Sequence, residues 1–299
     1  MRLGFITACF PGDSLADVIK WAKDADFSSL EVCCWPSGSA DREYAGINHI
    51  DVANLTSSKI REIKKLFKEN RLDISALAYY PNNLEPDLKK REKIHAHLKK
   101  VIDAASALNV ELVGTFVGRV PGLPIDDNLK IFAEVFPPLV KYAAEKKVKI
   151  MIENCPMMHE WPWGANFAYS PPIWERMFEI IPDENFGLNY DPSHLHWLGI
   201  DYIAPLKKFA SRIFHAHAKD TEILPERLKK EGIYGTGWWR YRIPGLGDID
   251  WDRFISALAE SGFDGCVSIE HEDPVYSGSR EMVKKGLILA KRHLERMII

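Results

Sequence analysis

Four side chains able to bind a metal ion close four apolar runs of this sequence: Glu153 in KIMIENC, Asp191 in FGLNYDPSH, His217 in IFHAHAKD and Glu270 in CVSIEHED. Three carboxylates and one imidazole make a mixed oxygen and nitrogen set. Such a set suits one divalent cation, with Mn²⁺, Mg²⁺ or Co²⁺ favoured and Zn²⁺ also open. One acidic residue at the end of a strand means little. Four in series mean more, because parallel α/β folds place their chemistry at the carboxyl ends of the strands. Taken singly, each has an ordinary use: Glu153 or Glu270 in a strand-end ion pair, Asp191 before Pro192 as a turn initiator, His217 as a structural histidine. The expectation of a metal rests on the four together.

To bring these residues together, the strands must end side by side. Strand-like runs occur at Leu3–Phe10, Leu30–Cys34, Ile74–Tyr80, Glu111–Val117, Lys149–Cys155, Phe186–Asp191, Ile213–Ala218 and Cys266–His271. Helical patterns alternate with them. Ser14 with Asp17 three residues later marks the start of the first helix. Pro137 and Pro138 predict a kink in the fourth, and an amphipathic helix over about 279–297 closes the chain. Eight β-α units in 299 residues, without a linker or break in composition, predict a (β/α)8 TIM barrel forming a single domain over 1–299. A doubly wound open sheet gives the same alternation and is the alternative. In a barrel the last four strands are neighbours, so the four candidate ligands converge at one side of the mouth. Strand parity adds detail. His215 shares a face with His217 but lies deeper, as an inner-layer residue or a donor behind the ligands. Glu272 shares a face with Glu270, and Lys219 with His217; Lys219 could contact a substrate oxyanion or pair with an acidic neighbour. His95 and His97, in a charged helix, read as solvated.

Hydrophobic content of 46% with 27% charged residues is that of a soluble protein with a substantial core. A net charge of −3 carries no footprint for nucleic acid or an anionic membrane. No apolar run reaches membrane-spanning length, and Met1 leads into LGFITACF without a basic leader, so a cytoplasmic location is expected. The five cysteines are odd in number and mostly strand-borne, which predicts buried thiols in a reducing compartment. Three long connections, Trp35–Leu55, Pro156–Pro172 and Thr221–Asp250, follow predicted strands and project over the mouth. They carry Trp35, Trp161, Trp163, Trp238, Trp239 and Tyr241. These either pack on the rim or wall a sugar-like ligand, with Trp163 and Trp239 as examples. His159, in MMHEW, suits a surface or covering role.

The segments IEN, YDPSH, HAHAKD, PGLGDIDW and SIEHED resemble the xylose-isomerase-like barrel superfamily, which includes sugar-phosphate isomerases, ketose 3-epimerases and inositol-catabolism enzymes. The resemblance covers almost the whole chain, and its specific motifs lie within 150–273. It implies metal ligation by Glu153, Asp191, His217 and Glu270, substrate binding by His194, and an arginine before PGLGD that fixes substrate, either Arg240 or Arg242. The implied chemistry is proton abstraction beside a carbonyl through an enediolate. A cation bound to the substrate oxygens stabilises the developing charge, with Glu153 and Glu270 as proton acceptor and donor. The expected partner is a small sugar or cyclitol, with no nucleic acid and no membrane; pairing through helix faces or rim loops leaves a homo-oligomer open.

The expected activity is therefore a metal-dependent sugar isomerase or epimerase. A lyase that dehydrates an inosose or eliminates from a 3-keto-glycoside shares the same metal and base and is the runner-up. Abasic-site endonucleases of the superfamily need further histidines on early strands and an Asp-x-His after the seventh. This chain has Tyr79-Tyr80, Phe116 and GWWRYR there. A non-catalytic sugar-binding barrel has no need of two intact glutamates.

Overall fold

The computed structural model describes residues 1–38, 45–160 and 163–298, with the backbone alone for 158–160 and 163. Eight strands build one barrel: β1 (Arg2–Ile6), β2 (Ser29–Cys33), β3 (Asp73–Ala78), β4 (Leu112–Thr115), β5 (Lys149–Glu153), β6 (Phe186–Tyr190), β7 (Ile213–Ala218) and β8 (Cys266–Ile269). They close in the order β1-β8-β7-β6-β5-β4-β3-β2, and every neighbouring pair is parallel. The chain is thus a (β/α)8 TIM barrel. The predicted strand Ile213–Ala218 matches at both ends, and the other seven overshoot their carboxyl ends because the chain leaves the sheet early to form loops. After β1, for example, Thr7–Cys9 turn as a 3₁₀ helix.

Period-two alternation decides what each strand buries. Outward positions such as Phe5, Leu30, Val32, Ile150, Ile152 and Leu188 join one apolar core with the helices. Each such side chain stabilises the fold by about 1.5–3 kcal/mol. The helices wrap this layer: α1 (Leu15–Asp24), α2 (Ser57–Asn70), α3 (Leu88–Leu108), α4 (Ile125–Glu145), α5 (Pro171–Ile180), α6 (Pro192–Trp197), α7 (Ala204–Lys208), α8 (Pro225–Glu231), α9 (Trp251–Glu260) and α10 (Arg280–Leu294). Ser14 caps α1 as its spacing predicts, accepting from Asp17 N at 3.2 Å and donating to Asp17 Oδ2 at 2.6 Å. Helix α4 continues through Pro137 and Pro138 as one element, held by the burial of Phe132, Phe136, Leu139 and Val140. Among the described residues, no helix is long and apolar enough to cross a membrane. All five cysteines are free thiols.

His95 and His97 depart from the sequence expectation. Both reach inward from α3: His95 Nε2 meets Asn83 O at 3.0 Å, and His97 Nε2 meets Cys34 O at 2.7 Å. Carbonyls at strand exits lack ladder partners, and these imidazoles supply them. Burial lowers both pKa values.

Inward positions of the barrel are unusually polar: Glu31, Glu153, Asn189, His215, His217 and Ser268 are all buried. The loop after β7 is fixed by another buried carboxylate, Asp220. It accepts from Thr221 N (2.8 Å), Gly245 N (2.9 Å), Gly247 N (3.1 Å), Ile249 N (3.1 Å) and Trp251 Nε1 (2.9 Å). The glycine of PGLGDIDW at 247 is required for this, since a Cβ there would lie 2.3 Å from Asp220 Oδ1. Replacing Asp220 by Ala strands these buried donors and should cost at least about 3 kcal/mol. Urea unfolding followed by tryptophan fluorescence measures it; parent-like stability would show that the carboxylate does not hold the loop.

Candidate metal centre at the barrel mouth

Each candidate ligand reaches the mouth through a local device. Glu153 ends β5, and the next residue, Asn154, locks β5 to β6: its Nδ2 donates to Asp191 O and its Oδ1 accepts from Asp191 N, both at 2.8 Å. Asp191 is the N-cap of α6, with Pro192 at the first helical position. Its Oδ1 accepts from Ser193 N at 2.8 Å, which leaves Oδ2 pointing into the mouth. The turn-initiator and ligand readings of Asp191 are therefore compatible, one oxygen for each. His217 and Lys219 follow from the parity of β7, and Glu270 continues β8.

The four side chains converge. One donor atom each from Glu153, Asp191, His217 and Glu270 lies within 4.8 Å of the others. His217 Nδ1 stands 3.4 Å from Glu153 Oε1 and 3.2 Å from Glu270 Oε2. Glu153 Oε1, Asp191 Oδ2 and His217 Nδ1 are buried polar atoms without a hydrogen-bond partner. Such atoms are expensive to leave unpaired, and a carboxylate, carboxylate and imidazole set facing one point fits a divalent cation.

His194, on α6, places Nε2 3.2 Å from Asp191 Oδ2 and 3.4 Å from Glu153 Oε1. Lys219 is buried at the same mouth, with Nζ 2.6 Å from Glu270 Oε2, 3.2 Å from Glu272 Oε2 and 3.3 Å from Asp191 Oδ2. It also lies 4.6 Å from the centre of the Tyr241 ring. Burial opposes the Lys219 charge, but Glu270, Glu272 and Asp191 outweigh it and raise its pKa further.

Arg240 and Arg242 lie on an antiparallel hairpin that pairs Asp220–Ile223 with Trp239–Arg242. Arg240 Nε donates to Glu222 at 2.6 Å, and Arg242 donates to Glu222 at 2.7 Å and to Asp273 at 2.9 Å. Arg240 thus braces the hairpin across its own strands, and Arg242 also secures it to the rim at Asp273. The alternate residues face the site: Tyr241 OH is 3.0 Å from His194 Nδ1, and Trp239 stacks on Trp197 at 4.5 Å with an interplanar angle of 6°. Trp161 lies outside the described residues, as do the side chains of His159 and Trp163.

Sequence reasoning overlooked Glu31 and Tyr80 as site residues, and placed Tyr241 only among the aromatics of the mouth loops. Glu31 had a signal: a carboxylate inside the apolar strand SLEVC is rarely buried without a partner. Tyr80 had none, and only the fold brings its hydroxyl to Glu31 and that of Tyr241 to His194.

A sequence profile of the xylose isomerase-like TIM barrel family matches residues 19–293. The chain belongs to that family. An inosose dehydratase of Clostridium botulinum (strain Eklund 17B / Type B) is 35% identical over 265 residues, covering 81% of this chain and 84% of that protein. Among solved structures, the IolI protein with a bound zinc atom superposes with a TM-score of 0.71 at 22% identity, over 99% of this chain and 96% of that one. The 3-keto-D-glucoside 4-epimerase YcjR from E. coli gives a TM-score of 0.71 at 13% identity, over 98% of this chain and 99% of that one. At these identities the structural likeness establishes the fold alone.

The charge pattern of the mouth has a pH consequence. His217 is held well above the usual imidazole range: burial opposes its charge, and Glu31, Glu270 and Glu153 outweigh burial. His194 is raised likewise, against burial, by Cys155, Tyr241 and Asp191. Stability from a raised imidazole is complete below its unfolded pKa of about 6.5 and is lost as pH rises through the folded value. Glu153 and Asp191 are lowered, their burial outweighed chiefly by His217 and His194 respectively; their contribution is present above about pH 4 and is lost only on further acidification. The melting temperature of chelator-treated protein should therefore fall as pH rises above about 6.5. Calorimetry tests this, and a flat or rising profile would contradict the charged imidazoles.

Proposed function

We propose that this protein is a divalent-metal-dependent isomerase or epimerase acting on a keto-sugar or related polyol. The observation that carries the reading is the convergence of Glu153 Oε1, Asp191 Oδ2 and His217 Nδ1, all buried and unpartnered, with Glu270 completing the set. Glu153, Asp191, His217 and Glu270 would hold the ion, which when bound supplies Lewis-acid stabilisation of negative charge on substrate oxygens.

The remaining chemistry belongs to the side chains. Glu153 and Glu270 flank His217 and would act as the proton pair. One carboxylate takes the proton from the carbon beside the carbonyl, and the electron pair moves onto the carbonyl oxygen, giving an enediolate. The other returns a proton to the opposite face for epimerisation, or to the neighbouring carbon for isomerisation. His194 presents Nε2 to a substrate oxygen, with its ring steadied by Tyr241. Lys219 holds the Glu270 carboxylate in place through its 2.6 Å contact with Oε2. Trp239 would wall the substrate, and Arg240 and Arg242 would serve it by fixing the hairpin. The ends of β3 and β4 offer Tyr80 and Phe116 in place of histidines, which speaks against a multinuclear nuclease site.

A dehydratase is the second reading, favoured by a specific pair. Lys219 and Glu272, 3.2 Å apart beside Glu270, could protonate a departing hydroxyl after the same proton abstraction. The 35% identical relative carrying the name inosose dehydratase agrees with it.

Incubating the metal-loaded protein with ketoses and inososes in deuterated water separates the two. Deuterium at the carbon beside the carbonyl with no loss of water is the isomerase or epimerase outcome; loss of one water is the dehydratase outcome. Exchange with neither substrate class would sink the shared proton-abstraction chemistry. Glu153→Gln and Glu270→Gln should each lower kcat by about 10²–10⁴-fold or more while keeping the parent circular dichroism. Parent-like turnover in either removes that glutamate from the pair.

A further inference from the structure

Glu31 has no place in the chemistry above, yet it is fully buried at the barrel axis. Taking a carboxylate out of water costs several kcal/mol unless its oxygens are well paired. Its pairing is directed: Glu31 Oε2 lies 2.8 Å from His217 Nε2. We propose that Glu31 is a positioning residue for the metal centre, fixing the His217 ring so that Nδ1 offers its lone pair to the ion. The inference rests on the metal-dependent reading above and extends it to a residue outside the ligand set.

The argument is one of donors and acceptors. A carboxylate oxygen only accepts, so the imidazole proton must sit on Nε2, facing Glu31. Nδ1 is then bare. It is the buried, unpartnered nitrogen that stands 3.4 Å from Glu153 Oε1 and 3.2 Å from Glu270 Oε2. Asn189 Nδ2 also approaches His217 Nε2, at 2.9 Å, but it has Tyr80 OH as an acceptor at 2.9 Å.

The carboxylate is itself clamped. Tyr80 OH donates to Oε1 at 2.6 Å and Ser268 Oγ to Oε2 at 3.2 Å. Tyr80 reaches Glu31 only because residue 114 is glycine; a Cβ there would lie 2.2 Å from the hydroxyl. Strands β2, β4, β6, β7 and β8 and the exit of β3 thus all contribute to setting one ring.

A competing use of the same atoms is a second ion held by Glu31, His215 and His217, whose donor atoms also cluster within 4.8 Å. Hydrogen bonding rules against it. His215 spends Nδ1 on Asn189 Oδ1 at 3.0 Å and Nε2 on Ser75 Oγ at 3.2 Å, and His217 Nε2 is committed to Glu31. Histidine ligands commonly gain orientation and basicity from a carboxylate behind the ring, and loss of that partner weakens metal binding by about 10–100-fold.

Co²⁺ dissociation constants from chelator competition test the proposal on the parent, Glu31→Gln and the double variant Tyr80→Phe/Ser268→Ala. E31Q should bind Co²⁺ about 10–100-fold more weakly, and the double variant should show a smaller loss in the same direction. At a pH where the His217 ring carries a single proton, long-range ¹⁵N–¹H spectra of the chelator-treated protein should place that proton on Nε2 in the parent and share it between the two nitrogens in E31Q, a change that general destabilisation does not produce. Parent-like affinity in folded E31Q overturns the proposal. If E31Q does not fold, parent-like affinity in the double variant overturns it instead. A parent protein that binds no Co²⁺ overturns the metal reading, and this proposal with it.

Discussion

Five carboxylates, Glu31, Glu153, Asp191, Glu270 and Glu272, crowd one desolvated end of a barrel, and their mutual repulsion is the constraint around which the molecule is arranged. Two such charges 4 Å apart repel by about 4 kcal/mol at an effective dielectric of 20. Among the described residues, the cationic groups in contact with them at the mouth are His194, His217 and Lys219. These account for the direction in which Glu31, Glu153 and Asp191 titrate: burial alone would raise all three, and neighbouring positive charge lowers them. Glu272 moves the other way, raised by burial that Lys219 only partly offsets. The mouth therefore holds an excess of acceptor oxygens over donors, which is the electrostatic condition for taking up a cation.

Such crowding survives only if the backbone cannot relax away from it. Asn154 ties β5 to β6 through two hydrogen bonds. Asn166 ties the following loop to the same place, donating to Glu153 O at 3.1 Å and Cys155 O at 2.6 Å and accepting from Gly118 N at 3.0 Å. Behind the ring of His217, His215 is kept neutral: burial pushes its pKa down to about 4, against the pull of Glu31. A neutral His215 can donate through one nitrogen and accept through the other, which completes the network below the mouth without adding charge.

The barrel and the convergence of strands five to eight were legible because both follow from period-two alternation and the carboxyl-end rule. Glu153, Asp191, His217 and Glu270 are recognisable for the same reason: each closes an apolar run. What was not legible depends on contacts between distant segments. His95 and His97 read as solvated from their charged helix, yet they serve carbonyls 12 and 63 residues away. Arg240 and Arg242 carry the right charge for an anionic or hydroxyl-rich ligand, but hairpin register turns them toward Glu222 and Asp273. The same register gives Tyr241 the position beside His194. Tyr80 and Glu31 lie 49 residues apart, and no local pattern joins them.

The division of labour between barrel and hairpin bears on what kind of specificity this site can have. Every group that could hold an ion or carry a proton sits on a barrel strand, within three residues of a strand's end, or on α6, so the closed sheet sets its position. The hairpin contributes Tyr241 and Trp239 from above and is anchored by ion pairs at the rim. Glu222 there is drawn below its ordinary pKa by Arg240 and Arg242, so the anchor stays charged through neutral pH. Substitutions on the hairpin can reshape the apolar wall without disturbing the carboxylate cluster, whereas substitutions among the inward barrel residues disturb all of it together. Under the proposed function, one proton-abstracting centre would in this way serve epimerisation, isomerisation or dehydration, the outcome following from the hydroxyl that the hairpin presents to Lys219.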